Sequence, residues 1–301
     1  MSAVPPPHAD NRPLGIMLMI LGMITMCITD AAGKWVVQDY HVAQLNFCRG
    51  FFALLILVPT ARSEGGLTSL KTARPWAHGL RSVLLVSLAY TWFFGLSKLP
   101  LAEATAIGLC APLCMTALSV VVLKEHVGKF RWGAVVLGFV GMLVIIRPGT
   151  EMFDPMFLLP VFSAVGYATY MLTNRILSRT ESVTAITLYP QLAIMAVSAV
   201  WAPLVWQPLT WPAFAAMALT GLCAGIGHLL LTFAFRYAPP SVLAPFDYTA
   251  LVWAALFGWL LFNQLPDQTA MAGMSLIVAA GLIIIYREAV AARRVVSVPL
   301  A

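Results

Sequence analysis

Ten apolar runs of around 20 residues, separated by short polar or Pro-rich breaks, constrain this chain more than any other feature. They fall near 14–37, 44–60, 77–97, 101–123, 132–146, 156–177, 183–206, 213–236, 241–262 and 269–286. At 1.5 Å rise per residue, a run of this length crosses a hydrocarbon core about 30 Å thick. The runs are continuously apolar, whereas barrel strands would alternate, so an α-helical membrane protein is expected. Only 10% of the residues are charged, against about 25% in a soluble domain, which excludes a soluble enzyme. The longest polar stretch, 62–75, is too short for an extramembrane domain, and no G-x-x-x-x-G-K-[ST] loop for ATP hydrolysis occurs.

Orientation follows from Lys and Arg. With the N-terminus in the cytoplasm, 14 of the 18 basic residues lie inside, only Lys34, Lys98 and Arg147 lie outside, and Arg49 sits within a helix. Both termini are therefore expected in the cytoplasm, and localisation in the cytoplasmic (plasma or inner) membrane. The net charge of +6 reads as this bias plus attraction to anionic lipid, not as a nucleic-acid surface. The first run imitates a signal peptide but is read as a retained helix, because it takes part in the repeat described next.

The two halves match at a shift of 139 to 141 residues. Lys34 pairs with Arg175 and Val42 with Val183, then Pro100 with Pro239, Glu125 with Gln264, Gly133 with Gly273, Gly141 with Gly281 and Arg147 with Arg287. Each half holds five helices, an odd number, so the second half enters from the opposite face. The expected organisation is a disordered tail over 1–13, a first five-helix repeat over 14–147, a second, inverted repeat over 155–287 and a basic tail over 288–301. Inverted repeats recur in secondary transporters, with substrate near the midplane and the halves rocking around it.

Ionisable groups inside a membrane are costly and mark candidate sites. Counting residues along the runs places Asp30, Arg49 and Glu103 in one layer toward the outer face, with Asp30 and Arg49 as a natural ion pair. That pair reads as a substrate-binding or gating element, or as a structural ion pair; Asp30 also has Lys34 one turn away. His228 and Asp247 share a second layer toward the cytoplasm and are candidates for proton coupling, a plain hydrogen bond from His228 to a carbonyl being the alternative. Tyr90, Trp92, Tyr167, Tyr248 and Trp253 are candidate pocket walls, with packing as the other reading. Pro112 and Pro245 are expected to break the fourth and ninth helices, with Gly108 nearby. The five cysteines read as packing residues, so no metal and no cofactor is expected. Gly221-x-x-x-Gly225 permits a close helix approach, either within the chain or in a homodimer.

Segments 99–148 and 238–287 each carry a small–Pro turn, a helix, then a Gly-rich helix, with Glu125 between the helices of the first and Gln264 in its place in the second. On these segments the chain resembles the drug/metabolite transporter superfamily, in its EamA-like ten-helix branch. The resemblance implies a transporter of small metabolites. Many members are similar to amino-acid exporters; others look like importers of S-adenosylmethionine or vitamins, a branch that the FDYT stretch at 246–249 also resembles. The expectation is an alternating-access exporter whose substrate is an amino acid, with Arg49 and Asp30 meeting its charged ends. Uptake of S-adenosylmethionine or another cationic metabolite or vitamin is the alternative. An intramembrane aspartyl protease using Asp30 and Asp247 is remote, because the two lie roughly 15 Å apart in depth and such carboxylates must be about 3 Å apart.

Overall fold

The computed structural model describes residues 11–63, 72, 74–122, 124, 127–177 and 180–296; Glu125 lies outside them. The described residues contain ten helical segments long and apolar enough to cross a membrane, and no strand. The first three are α1 (Arg12–Val36), α2 (Val42–Ser63) and α3 (Pro75–Lys98). The fourth crossing is split into α4 (Leu101–Gly108) and α5 (Ala111–Val122), and α6 (Lys129–Ile146) is the fifth. The second half runs α7 (Leu158–Leu177), α8 (Val183–Trp201) and α9 (Trp211–Tyr237). Its ninth crossing is split into α10 (Pro240–Leu243), a 3-10 turn (Ala244–Tyr248) and α11 (Thr249–Phe262), and the tenth is α12 (Gln268–Val296). Ten crossings return the chain to the face it started from, called here the terminal face; the opposite one is the far face. Helix α12 continues nearly three turns beyond the expected end of the tenth run, so the segment expected as a tail begins as helix.

Local chemistry sets the ends. The side chains of Asn11, Ser182 and Thr210 cap α1, α8 and α9, and proline opens α1, α3 and α9 where no N–H is needed. The two interruptions follow from proline as well. Pro112 and Pro245 lack an N–H, so the ladder fails just ahead of α5 and tightens into the 3-10 turn ahead of α11.

Exchanging the halves preserves which crossings touch. Helix α1 packs on α9 as α3 packs on α7, and α2 on α9 as α3 on α8. The split crossings meet each other through α4 and α11, and α6 lies on α12. That last contact depends on glycine: a Cβ on Gly141 would stand 2.7 Å from the Gly273 carbonyl oxygen, and one on Gly273 2.6 Å from that of Gly141. Gly221 and Gly225 are likewise spent inside the chain, against Arg49 and Phe52 and against Ile56 of α2. This motif is therefore accounted for without a second copy.

The main apolar cluster gathers the far-face ends of α1 and α3 with the starts of α2 and α4, through Val36, Leu45, Phe93, Leu96 and Leu101. A second, smaller cluster, Met19, Ala234, Ala238 and Leu243, holds the terminal end of α1 against α9 and α10. The far face is also tied by polar bonds. Gln44 exchanges two hydrogen bonds with the backbone of Gln207, at 2.8 and 3.1 Å, and Arg147 grips the Asp267 carboxylate through both oxygens.

Candidate functional site

Asp30 projects from α1 and accepts a hydrogen bond from the indole Nε1 of Trp92, on α3, at 2.9 Å. The Trp92 ring can reach it because it lies over Gly108, the last residue of α4: a Cβ there would stand 3.1 Å from the ring. The split fourth crossing thus seats the tryptophan that orients the carboxylate. Arg49, from α2, lies within electrostatic reach of Asp30, but no salt bridge joins them. Its guanidinium stands 5.1 Å from the centre of the Phe93 ring, and its Nε has no hydrogen-bond partner among the described residues. The expected Asp30–Arg49 ion pair is replaced by an Asp30–Trp92 hydrogen bond with the cation held close by.

His228, on α9, is exposed and lies within reach of the Arg49 charge. It forms no pair with Asp247, so the expected His228–Asp247 hydrogen bond is absent. The 3-10 turn instead carries Asp247 within electrostatic reach of Tyr167 of α7. Tyr167 stacks on Tyr170 at 6.3 Å between centroids and is nevertheless 45% exposed. Tyr167 lies on a helix packed against α3, α4 and α5. Trp253 of α11 is half-buried, with its indole N–H unmatched. An unmatched buried donor is what a polar ligand would satisfy.

Three expected site residues are placed elsewhere. Tyr248 is buried against Gly281 of α12, because the 3-10 turn rotates it away from Asp247. Tyr90 bonds Ser198 Oγ at 2.8 Å and stacks on Trp201, joining α3 to α8. Glu103 opens α4 and faces Arg147 and Asp267 at the far-face loops, not Asp30 and Arg49. In that loop cluster the hydrogen bond from Arg147 holds the Asp267 carboxyl below its ordinary range, and the same bond raises the Arg147 guanidinium.

Two features escaped the sequence reading. Lys34 is 2% exposed and donates to the carbonyls of Leu96 and Leu99 at 2.7 and 2.5 Å, with its ammonium 5.1 Å from the Phe262 ring centre. It caps the C-terminal end of α3, where unpaired carbonyls favour a cation, and does not pair with Asp30. The second is a buried cluster at the terminal end of α3. His78 Nε2 lies 3.4 Å from Glu181 Oε2, and Arg81 sits over the Tyr170 ring at 4.3 Å. The sequence signal was present in the position of Glu181, an acid in the short link between the sixth and seventh runs. Among the described residues no group of His, Cys, Asp and Glu is arranged to hold a metal.

The profile of the EamA-like transporter family matches the chain twice, over residues 13–147 and 155–286. An S-adenosylmethionine uptake transporter of Rickettsia prowazekii (strain Madrid E) is 31% identical over 277 residues, covering 91% of this chain and 93% of the relative. A riboflavin transporter of Rhizobium johnstonii is 28% identical over 280 residues, covering 91% and 92%. A crystal structure at 19% identity shares the fold, with a TM-score of 0.64 over 95% of this chain and 99% of the other. Family and relatives alike are transporters. With both halves matched and nearly all of the chain aligned to such relatives, the chain belongs to the EamA-like transporter family.

Proposed function

We propose that the protein takes up S-adenosylmethionine, or a closely similar cationic metabolite, across the inner membrane, with both termini in the cytoplasm. The observation that carries this reading is the set of ionisable side chains on α1, α2 and the ninth crossing. Two carboxylates, Asp30 and Asp247, and one guanidinium, Arg49, sum to a net charge of −1 when all are ionised. S-adenosylmethionine carries one carboxylate, one ammonium and one sulfonium, a net +1, so the two sums cancel. Asp30, held by Trp92, suits the ammonium, Arg49 the carboxylate, and Asp247 the sulfonium. Tyr167 and Trp253 offer a ring and an unmatched N–H to the adenine. The relatives at 31–32% identity named for this substrate point the same way. They favour uptake of such a metabolite over the amino-acid export expected from the sequence alone. Riboflavin, which is uncharged, leaves the two carboxylates unmatched.

Transport would proceed by alternating access of two inverted repeats. The exchange symmetry of the helix contacts supports the repeat. The polar ties Gln44–Gln207 and Arg147–Asp267 support closure on the far face. The test is competition binding to the purified protein with labelled S-adenosylmethionine. S-adenosylhomocysteine lacks the sulfonium charge and should compete more weakly, and Asp247→Asn should remove that preference. Equal competition by the two compounds, or stronger displacement by riboflavin, would overturn the assignment.

A further inference from the structure

Two amide side chains lie in the first turns of α2, Gln44 and Asn46, and both are 0% exposed. Gln44 uses both ends of its amide on the backbone of Gln207. Asn46 uses neither: its Nδ2 and Oδ1 have no hydrogen-bond partner among the described residues. An unmatched buried amide is costly, and within a membrane-spanning helix no bulk water offsets that cost. An apolar side chain at this place would be tolerated at least as well by the fold. The fold therefore gains nothing from the polarity of Asn46, and a partner from outside the fold would.

Helix geometry narrows what that partner is. Residues two apart on a helix face away from each other, and residues three apart are neighbours, with Cβ atoms about 5–6 Å apart. Asn46 is thus turned away from Gln44 and shares a face of α2 with Arg49, one turn nearer the far face. Arg49 is half-buried, its Nε is unmatched as well, and the Asp30 carboxylate lies within its electrostatic reach. The unused groups on this face are guanidinium and amide donors and one amide oxygen. A carboxylate matches the donors, and an ammonium matches the oxygen.

We propose that Asn46 binds the α-amino-acid end of the substrate. Its Nδ2 donates to the carboxylate beside Arg49, and its Oδ1 accepts from the ammonium beside Asp30. The inference rests on the proposed uptake of S-adenosylmethionine and adds a selection that charge alone does not provide. Decarboxylated S-adenosylmethionine keeps the ammonium and the sulfonium, so the two acidic side chains do not reject it. It leaves Asn46 Nδ2 and Arg49 without an acceptor, and that does. Asn46 lies toward the face closed by the Gln44–Gln207 and Arg147–Asp267 ties, so it meets the amino-acid end when that face opens to load.

The test uses the purified full-length protein and displacement of labelled S-adenosylmethionine by the unlabelled compound and by its decarboxylated analogue. The parent should prefer S-adenosylmethionine by about tenfold or more, the size of a hydrogen bond to a charged group. Asn46→Leu and Asn46→Ala should bind S-adenosylmethionine roughly tenfold more weakly and lose most of that preference. Unfolding by sodium dodecyl sulfate separates this role from a structural one. At least one of the two variants should keep the parent's midpoint, whereas Gln44→Leu, which strands the Gln207 backbone, should unfold earlier. Parental affinity and preference in the Asn46 variants, or equal weakening of both compounds, overturns the inference and leaves the uptake reading standing. An earlier midpoint in both Asn46 variants also overturns it. Absence of S-adenosylmethionine binding by the parent overturns both.

Discussion

Lys34→Met removes a buried ammonium while keeping the length and apolar volume of its side chain. In the structure that ammonium makes two short hydrogen bonds, to Leu96 and Leu99, and stands near the Phe262 ring. Hydrogen bonds to a charged group contribute about 1.5–3 kcal/mol each, so roughly 3–6 kcal/mol of interaction is lost. Part is recovered, because methionine carries no desolvated charge. Against that recovery, two carbonyls at the end of α3 become buried acceptors without a partner, since the last four of a helix have none within it. The expected net loss is about 2–4 kcal/mol. Unfolding in mixed detergent micelles, followed by circular dichroism against the mole fraction of sodium dodecyl sulfate, should show a clearly earlier midpoint. A midpoint within error of the parent's would refute the claim that this lysine fastens α1, α3 and α11 at the far face.

Further outcomes follow from the same geometry. Gly108→Val should push Trp92 off Asp30, and losing a hydrogen bond to a carboxylate, about 1.5–3 kcal/mol, should weaken S-adenosylmethionine binding by roughly tenfold or more, read by equilibrium binding. Gly141→Leu should abolish folding or transport, because its Cβ alone would meet the Gly273 carbonyl; Gly133→Ala, with nothing within 4 Å, should leave both intact, as checked by size-exclusion profile and uptake. Asp267 has its folded-state pKa lowered by Arg147, so its stabilising contribution is present above the unfolded value and is lost as pH falls through the lowered one. The carboxylate is half exposed, which limits the effect to about 1 kcal/mol or less. Thermal melting of the parent should fall slightly in acid, and that part of the fall should vanish in Asp267→Asn.

The fold was legible because the bilayer demands long apolar runs, and run length survives single-sequence reading. All ten crossings lie within a few residues of expectation, and both proline breaks were anticipated. The site was legible by depth only. Counting residues put Asp30 and Arg49 at one depth, and their charges do lie within reach of each other, but depth carries no information about azimuth. Trp92 therefore reaches Asp30 ahead of Arg49, and Tyr248 packs inward on Gly281 while its neighbour Asp247 stays within electrostatic reach of Tyr167. Glu103 illustrates the same limit, at the expected level but facing Arg147. Lys34 and the His78–Glu181 pair escaped because their partners are carbonyls, or an acid more than 100 residues away in sequence.

The central claim is inward movement of a cationic adenosyl metabolite, and uptake of labelled S-adenosylmethionine into proteoliposomes of the purified protein tests it most directly. The account predicts saturable accumulation above protein-free vesicles, reduced by excess unlabelled S-adenosylmethionine, impaired by Arg49→Ala and Asp247→Asn, and insensitive to amino acids. Uptake no greater than in empty vesicles, alongside transport of free amino acids by the same preparation, would contradict it.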